Sequence, residues 1–293
     1  MYRRITIFFI LCIFTAALSG QNSSGNMESP ASDFLYELNE EGSGVIIYGY
    51  IGKGGDVVIP SEIEGFQVVQ VETLSNPLQE SENSWGNYTA DIKKIIFPDT
   101  ITVLGVFYMG SQLNFKYQNS SLEKLVLPAN LEIIPSGAFC GCTKLVSVSF
   151  PKKLKKIERE AFADCSSLTN VELPKTLREI EAGAFYNCKS IINLKLPEKL
   201  KIIENQAFEN CIGLQSLSIP YSINKIGIAA FRNCENLKQV EVPDLKISYE
   251  GFGSESSFAY CISLNADDRK KIRNTGYFGF FDSKDKGAGN TNY

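Results

Sequence analysis

Residues 168–190 read LTNVELPKTLREIEAGAFYNCKS, and the same pattern returns every 23 residues through five consecutive cycles. Three residue types keep this period in phase. An Ala-Phe pair stands at 138–139, 161–162, 184–185, 207–208 and 230–231. A Cys stands at 142, 165, 188, 211 and 234, and a Pro at 128, 151, 174, 197, 220 and 243. A fixed period of this length predicts a solenoid, in which each coil stacks on the next.

The order of residues within one cycle predicts how each coil folds. Val171 and Leu173 are two apart, which is the spacing of a short strand with one buried face. Pro174 ends that strand because its nitrogen cannot donate a ladder hydrogen bond. The apolar residues that follow re-enter the core on a return leg, and Phe185 fills the centre. Stacking of the coils then buries the apolar side chains that a single coil would leave exposed.

The consensus Leu-x-x-Val/Leu-x-Leu-Pro-x-x-Leu-x-x-Ile-x-x-x-Ala-Phe-x-x-Cys resembles the leucine-rich repeats of the BspA-like family, also called the Treponema pallidum class. The resemblance covers residues 92–262. It implies a leucine-rich repeat solenoid that is curved, β-rich and right-handed. Characterised members are bacterial surface or secreted proteins implicated in adhesion to host matrix proteins or other bacteria. The family has no shared catalytic residues.

The N-terminus has the pattern of a secretory signal peptide. Arg3 and Arg4 precede an apolar run from Ile5 to Leu18, and small residues follow. The run is shorter than the roughly 18 apolar residues that span a bilayer, so we expect cleavage and no membrane span in the mature chain. Removal of residues 1–20 leaves 27 Lys and Arg against 33 Asp and Glu, so the net charge changes from −4 to −6.

The rest of the chain divides by composition. Regular coils are expected over 122–236. Long inserts, near 72–91 and 107–121, interrupt the earlier cycles. The predicted segments are a signal peptide at 1–20, a flexible linker at 21–33, an N-terminal β cap with the first degenerate repeat and insert at 34–91, leucine-rich repeats at 92–262, and a C-terminal cap helix with a disordered tail at 263–293.

The cysteines allow two interpretations. Cysteines at the same phase of adjacent coils would lie about 5 Å apart, within the range of a disulfide. A column of buried thiols that pack as small apolar side chains is favoured. Zinc is not expected, because the chain has no His and no Cys-x-x-Cys pair. Cys140 falls outside the repeat, and we expect it to be exposed and reactive.

Composition argues against catalysis. The chain has no His, the commonest general base, and no Gly-rich phosphate loop or metal-ligand spacing. An acidic exported chain is also a poor generic binder of nucleic acid. We therefore predict a non-enzymatic protein with no cofactor, which displays a surface for a partner.

Stacking converts one position of the repeat into a column on the surface. The position four after each Pro holds Glu132, Lys155, Arg178, Lys201 and Asn224, so its centre is basic. Lys152 and Lys175 lie nearby. We expect either a solvated edge or a site for an anionic protein or glycan, led by Lys155, Arg178 and Lys201.

Two other surfaces are candidates. One is the outward side of the strand column, which is polar and suited to binding by shape: Ser147, Ser149, Asn170, Glu172, Asn193, Lys195, Ser216, Ser218, Gln239 and Glu241. The other comprises aromatic residues of the inserts, which fill a cap or contact a partner: Trp85, Tyr88 and Tyr117.

The function expected from these features is adhesion or binding at the cell surface, or after secretion, by an exported interaction module. The alternative is a periplasmic or envelope scaffold with no external ligand. Protease treatment of intact cells distinguishes them, because only a surface-displayed solenoid would be cleaved.

Overall fold

The computed structural model describes residues 25–72, 91–104, 121–251 and 253–282. The predicted signal peptide, Trp85, Tyr88, Tyr117 and residues 283–293 of the predicted tail lie outside these ranges. The first seven strands are β1 Phe34–Leu38, β2 Val45–Tyr50, β3 Gly55–Val58, β4 Glu62–Ile63, β5 Phe66–Val71, β6 Ile92–Ile96 and β7 Val103–Leu104.

The repeat region contributes the remaining strands, each of which has only two or three residues. They are β8 Lys124–Val126, β9 Ile133–Ile134, β10 Ser147–Ser149, β11 Lys156–Ile157, β12 Glu179–Ile180, β13 Asn193–Lys195, β14 Ile202–Ile203, β15 Ser216–Ser218, β16 Lys225–Ile226, β17 Gln239–Glu241 and β18 Ser248–Tyr249. One helix, α1 Ala266–Asn274, follows them. No helix among the described residues is long and apolar enough to cross a bilayer.

The predicted solenoid is confirmed, with about 7 turns at a spacing of about 23 residues. The expected strand before the Pro forms a first parallel sheet in all described coils but one, in a four-stranded part β3-β6-β8-β10 and a three-stranded part β13-β15-β17. The strand predicted at Val171 and Leu173 is absent, and only an isolated bridge between Ser147 and Asn170 remains in that coil. A second parallel sheet, β9-β11-β12-β14-β16-β18, follows the Pro positions. The sequence interpretation did not identify this second sheet, because two-residue strands are too short to show an alternating pattern.

The Ala-Phe pairs build a third side of the coil, which we call the Phe corner (residues 138–142 and their equivalents in each coil). Phe185 is fully buried between Phe162 and Phe208, with ring centroids 5.5 and 5.2 Å away. Its N–H donates to the carbonyl of Ala207 in the next coil at 2.8 Å. Asn187, two residues later, has a φ of 61°. Asn tolerates this left-handed conformation better than most residues do, so an Asn, Asp or Gly recurs there.

The Cys column is buried, as predicted, and its cysteines are free thiols. Cys188 Sγ donates to the Phe162 carbonyl at 3.2 Å, and Cys211 Sγ donates to the Phe185 carbonyl at 3.3 Å. Each thiol thus fills a small apolar site and satisfies a buried carbonyl of the preceding coil. Ala would also fit this site by size but could not donate the hydrogen bond, which explains why Cys recurs at this position.

Both ends of the stack are covered. Strand β1 pairs antiparallel with β2 at the N-terminal end. Residues 25–33, assigned by sequence to a linker, border β3 through a hydrogen bond from Ser29 N–H to the Val58 carbonyl at 2.8 Å. At the other end, Asn265 caps the predicted helix by accepting from Asp268 N–H at 2.8 Å. After this helix, the Tyr277 ring packs edge-on against Phe258 at 5.5 Å, which closes the phenyl stack.

Candidate interaction surface

The three cations predicted to form a column lie in consecutive coils. We call Lys155, Arg178 and Lys201 the basic column. Arg178 N–H donates to the Lys155 carbonyl at 2.8 Å, and Lys201 N–H donates to the Arg178 carbonyl at 2.9 Å. All three residues are exposed. Their spacing is therefore fixed by backbone hydrogen bonds, and their charged groups face solvent.

Only one end of the basic column is neutralised. Lys155 Nζ lies 2.6 Å from Glu132 Oε2 of the preceding coil. Within the described residues, no carboxylate lies within ion-pair distance of Arg178 or Lys201. Both groups are solvated, so their mutual repulsion is weak, about 1 kcal/mol or less at this spacing. These two charges are available to an anionic partner.

Most of the carboxylates next to the basic column already have partners. Glu181 pairs with Lys156 at 2.5 Å and accepts from Arg159 N–H at 3.0 Å. The hydrogen bond to Glu181 raises the pKa of Lys156. Glu158 accepts from Ser136 N–H at 3.1 Å. These two carboxylates bind groups in and beside the second sheet, so they do not neutralise the charges of the basic column.

Lys225, at the position equivalent to Lys156 three coils further along, also pairs with carboxylates. It lies 3.2 Å from Glu204 and 3.3 Å from Glu250. Glu179 and Glu198 form no ion pair among the described residues and reduce the net positive charge of the edge without covering it. In the two central coils of the basic column, the cation four residues after the Pro therefore stays exposed and forms no ion pair within the described residues.

Lys152 and Lys175 extend the same edge toward the Pro positions. Each follows a Pro of the repeat directly, and each is exposed. Thr176 Oγ1 donates to the Lys152 carbonyl at 2.7 Å, which joins the two coils beside these side chains. The structure thus brings five of the eight predicted site residues to one edge. Trp85, Tyr88 and Tyr117 lie outside the described residues and stay a prediction.

Sequence reasoning missed an exposed aromatic residue on this edge. Tyr221 occupies the position that Lys152 and Lys175 hold in earlier coils, and 71% of it is exposed. Exposed tyrosines are frequent among the residues that dominate protein interfaces. The signal was present in the sequence, since a large aromatic directly after a repeat Pro occurs at Pro220 alone among the regular coils.

The expectation for Cys140 was wrong. Cys140 is half-buried at the Phe corner, and burial raises its thiol pKa from 9.0 to about 12, with further contributions from Asp164 and Glu160. A thiol needs its ionised form to react. Burial and the nearby carboxylates therefore disfavour the reactive thiolate form of Cys140 at neutral pH.

Comparison with known proteins agrees with this geometry. The family model of the BspA type leucine rich repeat region matches six copies, over residues 111–238 and 178–284. The chain belongs to this family. Its BspA-type coils therefore account for more than half of the sequence, and they include every residue of the basic column.

Solved structures similar to this BspA-type chain include two leucine-rich repeat proteins. The leucine-rich repeat protein of Treponema pallidum is 30% identical, with a TM-score of 0.62, and the match covers 87% of this chain and 99% of that one. A leucine-rich repeat protein from Bacteroides ovatus is 22% identical, with a TM-score of 0.41 and coverage of 80% and 74%. A search of curated protein sequences gave no significant match.

Proposed function

We propose that this protein is an exported, non-enzymatic interaction module that binds an anionic partner through the basic column. A leucine-rich repeat solenoid is a protein-interaction scaffold, and its fixed coils hold surface groups in register. The observation that carries the proposal is the pair Arg178 and Lys201. Both are exposed, and neither forms an ion pair with a carboxylate of the described residues. The net charge of the whole chain is nevertheless negative.

We propose an acidic protein surface as the partner. Complementary charge steers association and selects the partner. The guanidinium of Arg178 can hold a carboxylate through two parallel hydrogen bonds, which a lysine cannot do. An anionic glycan would use the same charges, so the test includes it as a separate arm.

The cellular role follows from the N-terminal leader pattern and from the family. We propose that the mature chain acts at the bacterial surface or after secretion, in adhesion to a host matrix protein or to another bacterium. Surface display would leave the basic column accessible to such a partner. Protease treatment of intact cells would then cleave the solenoid, whereas a periplasmic scaffold would be protected.

The binding test uses a triple variant and a matched control. We expect Lys155→Ser, Arg178→Ser and Lys201→Ser together to weaken retention on immobilised poly-L-glutamate about tenfold or more. The wild-type protein should elute as salt rises, because screened charges no longer attract. The control replaces Lys144, Lys189 and Lys238 with Ser, which are also exposed but lie elsewhere in the repeat.

The outcomes separate the alternatives. Loss in the basic-column variant with retention in the control supports the proposed surface. Equal loss in both variants would show that only net charge matters, and this would contradict the site. Strong retention on heparin with none on poly-L-glutamate would assign a glycan partner instead of a protein.

A further inference from the structure

The first sheet is interrupted beside the basic column. In most other coils, the residue before the Pro donates its N–H to the next coil, as Leu127 does to Ser149 at 3.3 Å and Leu196 does to Ser218 at 3.2 Å. Among the described residues, Phe150 and Leu173 make no such bond. A single bridge between Ser147 and Asn170 remains. We call this interruption the seam and define it as residues 149–150, 170–174 and 193–195.

The seam interrupts the first sheet but neither the second sheet nor the phenyl stack. The second sheet continues past it, since β12 pairs with both β11 and β14. The ring centroids of Phe162, Phe185 and Phe208 also keep their 5.2–5.5 Å separation. Paired strands lie about 4.7–4.9 Å apart, so no additional strand fits between these coils. A partner must therefore lie on the outside of the seam.

The strand residues at the seam have a poor tendency to form sheet. Asn170 and Glu172 occupy its outward positions, and both residue types are depleted in strands. Their side chains bond to each other instead, with Asn170 Nδ2 donating to Glu172 Oε1 at 3.1 Å. This local pair holds the two polar groups within one coil and leaves the backbone groups of the seam without a neighbouring strand.

The seam also exposes apolar surface. Phe150, Leu173 and Pro174 are partly exposed, whereas the equivalent residues of most other coils are buried. The buried equivalents are Leu127, Leu196, Ile219, Pro128, Pro197 and Pro220. An apolar spot of this kind accepts a side chain of a partner and removes it from water.

The charges around the apolar spot are mainly positive. Lys152 and Lys175 follow the two prolines at its edge, Lys195 projects outward from β13, and Arg178 lies further along the same coil. Glu172 is the one carboxylate of the seam, and Asn170 engages it. The surroundings therefore favour a partner that combines negative charge with one apolar side chain.

We propose that the seam binds an extended acidic peptide segment of the partner protein. An apolar side chain of the peptide contacts Phe150, Leu173 and Pro174, and acidic side chains contact Lys175 and Arg178. This inference rests on the proposed function, because it assigns the part of the partner that reaches the basic column.

The test compares peptide probes that carry the same charge. The first is a short acetylated glutamate peptide with one central leucine, and the second has serine in place of the leucine. We expect the second to bind the wild-type protein about tenfold more weakly than the first. Leu173→Ser should remove the preference for leucine, and a thermal melt checks that this variant remains folded.

The peptide changes keep the proposal testable even if Leu173→Ser does not fold, because they leave the protein intact. Equal affinity for the two peptides, lost in the basic-column variant, would overturn the seam and leave the proposed function standing. No binding of any peptide to the wild-type protein would also overturn the seam. If poly-L-glutamate is not retained either, the proposed function fails as well.

Discussion

Phe185→Ala is expected to lower the free energy of unfolding by about 3–5 kcal/mol. Phe185 is fully buried in the middle of the phenyl stack and loses ring contacts with both Phe162 and Phe208 on truncation. Neighbouring coils cannot collapse into the cavity, because backbone bonds of the Phe corner fix their separation. A chain of this size should then melt roughly 10 °C lower, as measured by circular dichroism.

Tyr221→Ala is the matched control for Phe185→Ala. It also removes an aromatic ring from the repeat region, but 71% of Tyr221 is exposed. Its melting temperature should change by a degree or two at most. A similar fall in both variants, or no change in Phe185→Ala, would show that the phenyl stack does not stabilise the solenoid as described.

Alkaline pH is expected to destabilise the fold through the Cys column. Burial raises the thiol pKa of Cys188, Cys211 and Cys234 above the ordinary value of 9.0, to about 12 for Cys211. The unfolded chain ionises above about pH 9, whereas the folded chain holds these protons. The stability that the neutral thiols contribute is therefore present below pH 9 and is lost as pH rises toward the folded pKa. Three thiols predict a loss of about 4 kcal/mol between about pH 8 and pH 10.

Cys211→Ser isolates the thiol contribution. The serine hydroxyl can still donate to the Phe185 carbonyl, as Cys211 Sγ does at 3.3 Å, but it does not titrate in this range. Urea denaturation at a series of pH values should show a loss smaller by about 1 kcal/mol than in the wild type. Stability that is flat from pH 8 to pH 10, or an unchanged loss in the variant, would contradict this explanation.

The sequence predicted the parts of the fold that a repeated residue type determines. The buried Phe, Ala and Cys positions, the strand before every repeat Pro except Pro174 and the capped C-terminal helix follow from periodicity and from Asn265 as a cap. The stacking of Lys155, Arg178 and Lys201 also follows, because equal phase in a solenoid means adjacent positions in space.

Features that depend on contacts between coils were not predicted. The thiol donor of Cys188 finds the Phe162 carbonyl 26 residues earlier in the chain, which no local pattern shows. The burial of Cys140 depends on the neighbouring coils in the same way. The seam escaped prediction because residues 168–174 match the consensus at every core position. Only the three-dimensional pairing distinguishes this coil from its neighbours.

Amide hydrogen exchange of the protein with and without bound poly-L-glutamate tests the basic column most directly. We predict slower exchange in peptides that cover 152–158, 175–181 and 199–204, with little change in β1, β2 or α1. The reason is that a bound anion restrains the coils that present Lys155, Arg178 and Lys201 and limits local opening there. Slowing confined to the N-terminal strands or to α1 would contradict the assignment of the binding surface to the basic column.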